Sequence, residues 1–210
     1  MNWGYETDHP FDDEATLFRE HHVPFYVCPG TSSWNRLAGR VNNMLQNCLR
    51  AAEADIKNGA AGYLLTDWGD NGHWQQLPIS YPGFAVGAAF SWCLVVNWDI
   101  NLSEILNNII FKDYTNQIGD LIIDIRNEYQ SWGIPTINSS PLFWFLQAKR
   151  EKLQEFSTIH AGLIYQSLTR LENHLVKLDN IVLNRLDADI IKSELKLTIQ
   201  LTIHARKCCL

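Results

Sequence analysis

The first hundred residues break into short apolar runs parted by helical stretches, and each run opens into a loop crowded with polar and aromatic side chains. Short runs separated by helices pair in parallel through right-handed crossovers, so the loops that follow them gather along one edge of the sheet. The clearest case is Ala60 to Gln75. Ala61 to Leu65 has the character of a buried strand. Asp67, Trp68, Asp70, His73 and Trp74 then follow closely, with Gly69 and Gly72 loosening the backbone between them. Trp supplies a flat apolar face and an N–H donor, and Asp supplies acceptors for two neighbouring hydroxyls. Together they suit a sugar ring, which has C–H faces and a hydroxylated rim. The plainer alternative is a Gly-rich turn with Trp68 plugged into the core.

The rest of the first half follows the same plan. Trp3 to Pro10 reads as the end of a strand and its loop. Asp12 to His21 reads as a helix. Its acids Asp12, Asp13 and Glu14 fall in the first turn, where they complement the helix dipole, and this outweighs a catalytic carboxylate group. Phe25 to Val27 is the second strand candidate, and it runs through Cys28 into Pro29-Gly30-Thr31-Ser32-Ser33-Trp34-Asn35. No Gly-x-Ser-x-Gly elbow surrounds Ser32 and Ser33, so they read as caps or ligand hydrogen-bonders rather than nucleophiles. Asn42 to Lys57 has apolar residues at helical spacing and closes on Asn58-Gly59. Phe84 to Trp92 reads as a nearly all-apolar helix, with Gly87, Ala88 and Ala89 allowing close packing.

Beyond Asn101 the strand signal stops. Helical stripes are expected from Ser103 onward, over Phe111 to Tyr129, from Ser140 through Phe156, over Ile159 to Leu178 and over Leu186 to Leu210. They read as core or partner-packing faces, with His160, His174 and His204 on the surface. The chain therefore divides, by sequence, into residues 1–100 with strands and residues 101–210 without.

Bulk charge narrows the function. The net charge is −6, and the acidic excess lies entirely in the half with the Trp-rich loops. A nucleic-acid partner needs a basic surface and is excluded on that ground. The five cysteines have neither disulfide-framework nor zinc spacing and read as reduced thiols. Met1-Asn2-Trp3-Gly4 does not start a signal peptide, which favours the cytoplasm. The apolar run Gly83 to Trp98 is short for a membrane span. Asp67, Asp70, His73 and His9 could be assembled into a metal-dependent hydrolase, but their spacing matches no ligand motif. Neither a metal nor another cofactor is expected.

Three runs carry a resemblance. They are Trp3-Gly4-Tyr5-Glu6 with Asp8-His9-Pro10-Phe11, Phe25 to Asn35 with Leu37-Ala38-Gly39-Arg40, and Thr66 to Gln75. They resemble the later barrel strands of a bacterial branch of glycoside hydrolase family 20, the β-N-acetylhexosaminidases, over about residues 1–100. The resemblance implies an α/β fold: the C-terminal portion, about three βα units, of a TIM-type (β/α)8 barrel, followed by an all-helical region. It implies cleavage of terminal N-acetylhexosamine by substrate-assisted retention, in which the substrate's acetamido oxygen attacks the anomeric carbon. The family's Asp–Glu pair has no counterpart at a strand end here, so the chain is expected to be truncated and inactive alone, with Glu6 the one candidate acid. The alternative is a non-catalytic sugar-binding or structural remnant. By resemblance Trp68 floors the sugar site, Asp70 (where the family has Glu) holds hydroxyls, Trp3 is a further pocket aromatic, and Tyr26 steadies the acetamide. Glu6, Trp34, Asn35, Asp67, His73 and Trp74 are further sugar-contact candidates. A second copy or a complementing chain would cover the open barrel.

Overall fold

The computed structural model describes residues 1–132, 134, 137–147, 149 and 161–209. Three strands, β1 (Asn2–Trp3), β2 (Tyr26–Cys28) and β3 (Gly62–Tyr63), alternate with helices α1 (Phe11–Glu20), α2 (Val41–Asn58) and α3 (Leu77–Asn97). The strands lie in sequence order and pair in parallel, Asn2 opposite Val27 and Val27 opposite Tyr63. The second ladder is extended beyond the strands by Thr66 N–H donating to Pro29 O (2.9 Å) and Thr31 N–H to Thr66 O (3.0 Å). Helices α4 (Leu102–Ile105, widening into a π turn over Leu106–Ile110), α5 (Ile118–Asn127), α6 (Pro141–Phe145), α7 (Ala161–Asn180) and α8 (Ala188–Lys207) follow.

The fold implied by the resemblance does not form. Of the described residues 62% are helical and only 6% lie in strands, and the fold is not a partial (β/α)8 barrel of about three βα units with a helical tail. The physical reason lies in where the apolar surface is. The strand runs are cut to two or three residues by Pro24, by Pro29, which has no N–H to donate, and by the polar turn at Thr66. The long apolar stripes belong to helices. One continuous core joins Val41, Met44 and Cys48 of α2 and Ile79 and Val86 of α3 to Leu121 and Ile122 of α5, Leu171 of α7 and Leu195 and Ile199 of α8. Residues before and after position 100 therefore share this core, and a smaller separate cluster joins Phe11, Ala15, Phe25, Val27, Ala51 and Ala54.

Several helices depart from their expected lengths. The stripe expected from Phe111 to Tyr129 is broken, because the Asp113 carboxylate captures Thr115 N–H (2.8 Å), Gln117 N–H (2.8 Å) and Ile118 N–H (2.9 Å) and restarts the chain as α5. The expected helix Phe84–Trp92 is instead Leu77–Asn97, with Pro78 in its first turn. At Cys93 (φ −160°, ψ 94°) the helix breaks, and the Asn97 side chain donates to the carbonyls of Ala89 (2.9 Å) and Cys93 (3.0 Å). Most of its first half is buried, including Ile79, Val86 and Gly87, whereas Trp92, Val95 and Val96 are 88%, 81% and 78% exposed. Among the described residues α3 is the one helix apolar and long enough to cross a membrane by composition and length, and 39% of that window is buried within the fold. The helix expected from Ser140 to Phe156 is Pro141–Phe145, with Leu146 and Gln147 in a turn, and beyond Gln147 only Lys149 of it is among the described residues; Ile159, His160 and Leu210 also lie outside them.

The two halves are tied by Arg126 of α5, which is fully buried. It donates to Thr31 O (2.8 Å), to Ser33 Oγ (3.2 Å) and to Ile79 O. Gly39, at φ +80°, lies against this guanidinium, and a Cβ there would come within 2.6 Å of Arg126 Nη1. Replacing Arg126 by Met should cost about 3 kcal/mol, because Thr31 O and Ile79 O lose their charged donor and keep only the weaker Ser33 hydroxyl between them. Urea denaturation of the two proteins checks this; an unchanged midpoint would show the clamp to be idle.

Candidate functional site

Helix α2 fixes the loops at the strand ends. Its Asn43 and Asn47, four residues apart, point from one face toward the sheet edge. Asn43 donates to Tyr5 O (2.6 Å) and Ser32 Oγ (2.8 Å) and accepts from Thr7 N–H (3.1 Å) and Arg40 (2.8 Å). Asn47 accepts from Gly30 N–H (3.1 Å) and donates to the carbonyls of Gly4 and Glu6, both at 3.0 Å. Two amides thus peg the loops after β1 and β2.

Several residues singled out in the sequence meet on this face. Trp68 is 48% exposed, and its indole N–H donates to the Tyr5 hydroxyl (2.8 Å). Tyr5 stands edge-on to Trp34, with ring centroids 4.9 Å apart. Asp67 accepts a short hydrogen bond from Thr31 Oγ1 (2.5 Å), and Asn35 accepts from Asn71 (2.8 Å). Gln75 donates to the Trp68 carbonyl (2.8 Å), which closes the loop on itself.

The others are placed differently. Trp34 is completely buried. It is a floor beneath Tyr5, packed so tightly over Gly30 that a Cβ there would lie 2.3 Å from the indole. Trp3, 59% exposed, lines an apolar cleft of about 740 Å³ with Met1, Leu17, Phe18 and Val23. Tyr26 opens β2 with its ring over Gly62. Asp70 and His73 are exposed around the turn Asp70–Gly72, and Trp74 is edge-on to Phe143 with ring centroids 6.0 Å apart. His9 lies 3.2 Å from Glu14, and no group of three or more metal-ligating side chains converges among the described residues. His174, expected on the surface, is instead largely covered. Burial holds its pKa down, against the pull of Asp124 at 4.0 Å.

Glu6 is held in a bidentate ion pair. Arg40 donates to Oε1 (2.8 Å) and Oε2 (2.6 Å), and Asn138 N–H donates to Oε1 (2.6 Å). Burial pushes the carboxyl up, but the Arg40 hydrogen bonds and charge together with the Asn138 N–H outweigh it, and the net shift is downward. Arg40, Asn43, Asn47, Tyr5 and Asn138 were not among the candidate site residues. The available signal was polar residues at helical spacing on the inward side of an otherwise apolar stripe, Arg40, Asn43 and Asn47.

A carboxylate with a depressed folded pKa contributes stability that is present above its unfolded value, 4.5 for Glu6, and is lost as pH falls through the folded value. Glu6→Gln should therefore lower stability at neutral pH and shallow the acid limb below about 4.5. Thermal melts from pH 7 down to pH 3 check this, and parallel acid limbs in the two proteins would refute it.

Compared with protein-family models and with curated proteins, the chain matches none.

Proposed function

We propose that the strand-end face around Trp68 binds carbohydrate of the N-acetylhexosamine type without cleaving it. The observation that carries the reading is the half-exposed Trp68 indole, fixed by the Tyr5 hydroxyl, on the same loop as Asp67 and Asn71. A flat apolar platform offers the sugar's C–H face a surface to stack on, and the carboxylate and amides at its rim offer partners for hydroxyls. The resemblance of the Thr66–Gln75 run to the hexosaminidase branch supports the same class of ligand.

Hydrolysis is the second reading and rests on the resemblance alone. It requires a general acid whose pKa is raised toward the working pH. Glu6 is paired the other way, its proton displaced by Arg40. In this reading Glu6 anchors a loop rather than protonating a leaving group.

Tryptophan fluorescence of the full chain, titrated with N-acetylglucosamine thiazoline, tests the first reading. A saturable change is expected in the wild type. It should vanish in Trp68→Ala and persist in Trp92→Ala, whose indole is remote on the exposed end of α3. A titration without saturation in the folded wild type would overturn it. A chromogenic N-acetylglucosaminide tests the second reading. No turnover is expected, and turnover abolished by Glu6→Gln would restore the hydrolase.

A further inference from the structure

Helix α3 has an outer face that the fold leaves bare among the described residues. No Lys, Arg, Asp or Glu occurs between Asp70 and Asp99, so the helix is uncharged all round, and a helix of that kind is normally covered on every side. Ile79, Val86 and Phe90 go into the core. Leu77, Phe84, Ala88 and Trp92 are exposed. Their spacing of seven, four and four residues puts them together on the opposite side of the helix. Val95, Val96 and Trp98, also exposed, prolong the patch past the break at Cys93. Apolar surface on this scale marks a site where something docks.

Area, charge and shape name the occupant. The exposed parts of Leu77, Phe84, Trp92, Val95, Val96 and Trp98 come to roughly 800 Å², about what each partner contributes to a specific interface of standard size. Two copies of a chain with net charge −6 repel one another, and α3 offers them a long face on which no acid meets an acid. Along the row Phe84, Ala88, Trp92 a small residue lies between two large ones. Two such rows packed antiparallel about a two-fold axis at Ala88 set Phe84 of each copy against Trp92 of the other, and the small centre lets the helices approach closely. An interface between identical copies needs a patch that is self-complementary in this way. A bilayer is the other covering for an apolar face, and charge disfavours it: α3 carries no basic residue to meet anionic headgroups, and the chain as a whole is acidic.

We propose that a second copy of this chain covers the outer face of α3, in a two-fold dimer centred on Ala88. The same axis lays the Val95–Trp98 tip of one copy over the Leu77 end of the other. The contact makes no use of Trp68 and stands apart from the carbohydrate reading.

Sedimentation velocity of the full chain over a hundredfold range of concentration is the test. The wild type should pass from one chain mass toward two as concentration rises. Ala88→Glu sets two carboxylates face to face at the axis and should raise the dissociation constant at least tenfold. Leu17→Glu, on the apolar cleft beside Trp3, should leave it unchanged. A wild type that stays monomeric overturns the proposal, as does a dimer that survives Ala88→Glu or one that Leu17→Glu abolishes. Ala88→Lys separates loss of contact from loss of fold. Alone it should be monomeric, and mixed with Ala88→Glu in equal amounts it should restore the dimer, which an unfolded chain could not do. A mixture that stays monomeric overturns the axis at Ala88 and the proposal with it. Flotation with phosphatidylcholine vesicles supplies the remaining outcome. A wild type that floats while Ala88→Glu stays behind would give the face to lipid and overturn the dimer; no flotation of either is expected.

Discussion

The strand ends of this protein depend on side chains reaching in from helices. The ladders themselves are too short to hold the loops in register, since β1 and β3 contribute two residues each. Asn43 and Asn47 complete the missing hydrogen bonds from α2, and Arg126 does so from α5. Each satisfies buried backbone carbonyls that would otherwise lie without donors. The arrangement makes the aromatic face an extension of the helical core, and the core in turn spans both halves of the chain.

That dependence has an electrostatic side. Arg36, Arg40 and Arg126 bring three guanidiniums beneath a half of the chain whose overall charge is acidic. Glu6 neutralises one of them, Arg40, through both terminal nitrogens of its guanidinium. Asp67 lies near enough to Arg126 to hold its charge, yet burial brings that guanidinium down to about 10. The acidic surface and the basic interior are therefore two layers of the same region, and a net charge says little about what a ligand meets once inside.

Much of the local structure was legible. The presence of α1, α2, α7 and α8 follows from apolar spacing, and the gathering of Trp68, Asp67 and Asn35 at one sheet edge follows from parallel pairing. What the sequence concealed has identifiable causes. Asp113 carries no apolar signal, yet three backbone N–H bonds to its carboxylate end one helix and begin another. Trp34 and Trp68 look alike in a sequence, and only packing over Gly30 makes one a buried floor and the other a half-exposed platform. The barrel expectation failed because it weighted the motifs, which lie in loops, over the apolar stripes, which are helical.

The break in α3 has a consequence for length. Leu77 to Asn97 is one apolar segment by composition, but its unbroken helical portion, with Pro82 inside it, ends at Trp92. At the usual rise per residue that portion is a rod of about 24 Å, shorter than the roughly 30 Å of a bilayer's hydrocarbon slab. Straightening it through Cys93 would re-form a turn of helix and release the Asn97 amide from both carbonyls it now holds. The apolar reach of the segment is therefore set by one side-chain amide, and Asn97 is where a straight rod and a bent one part company.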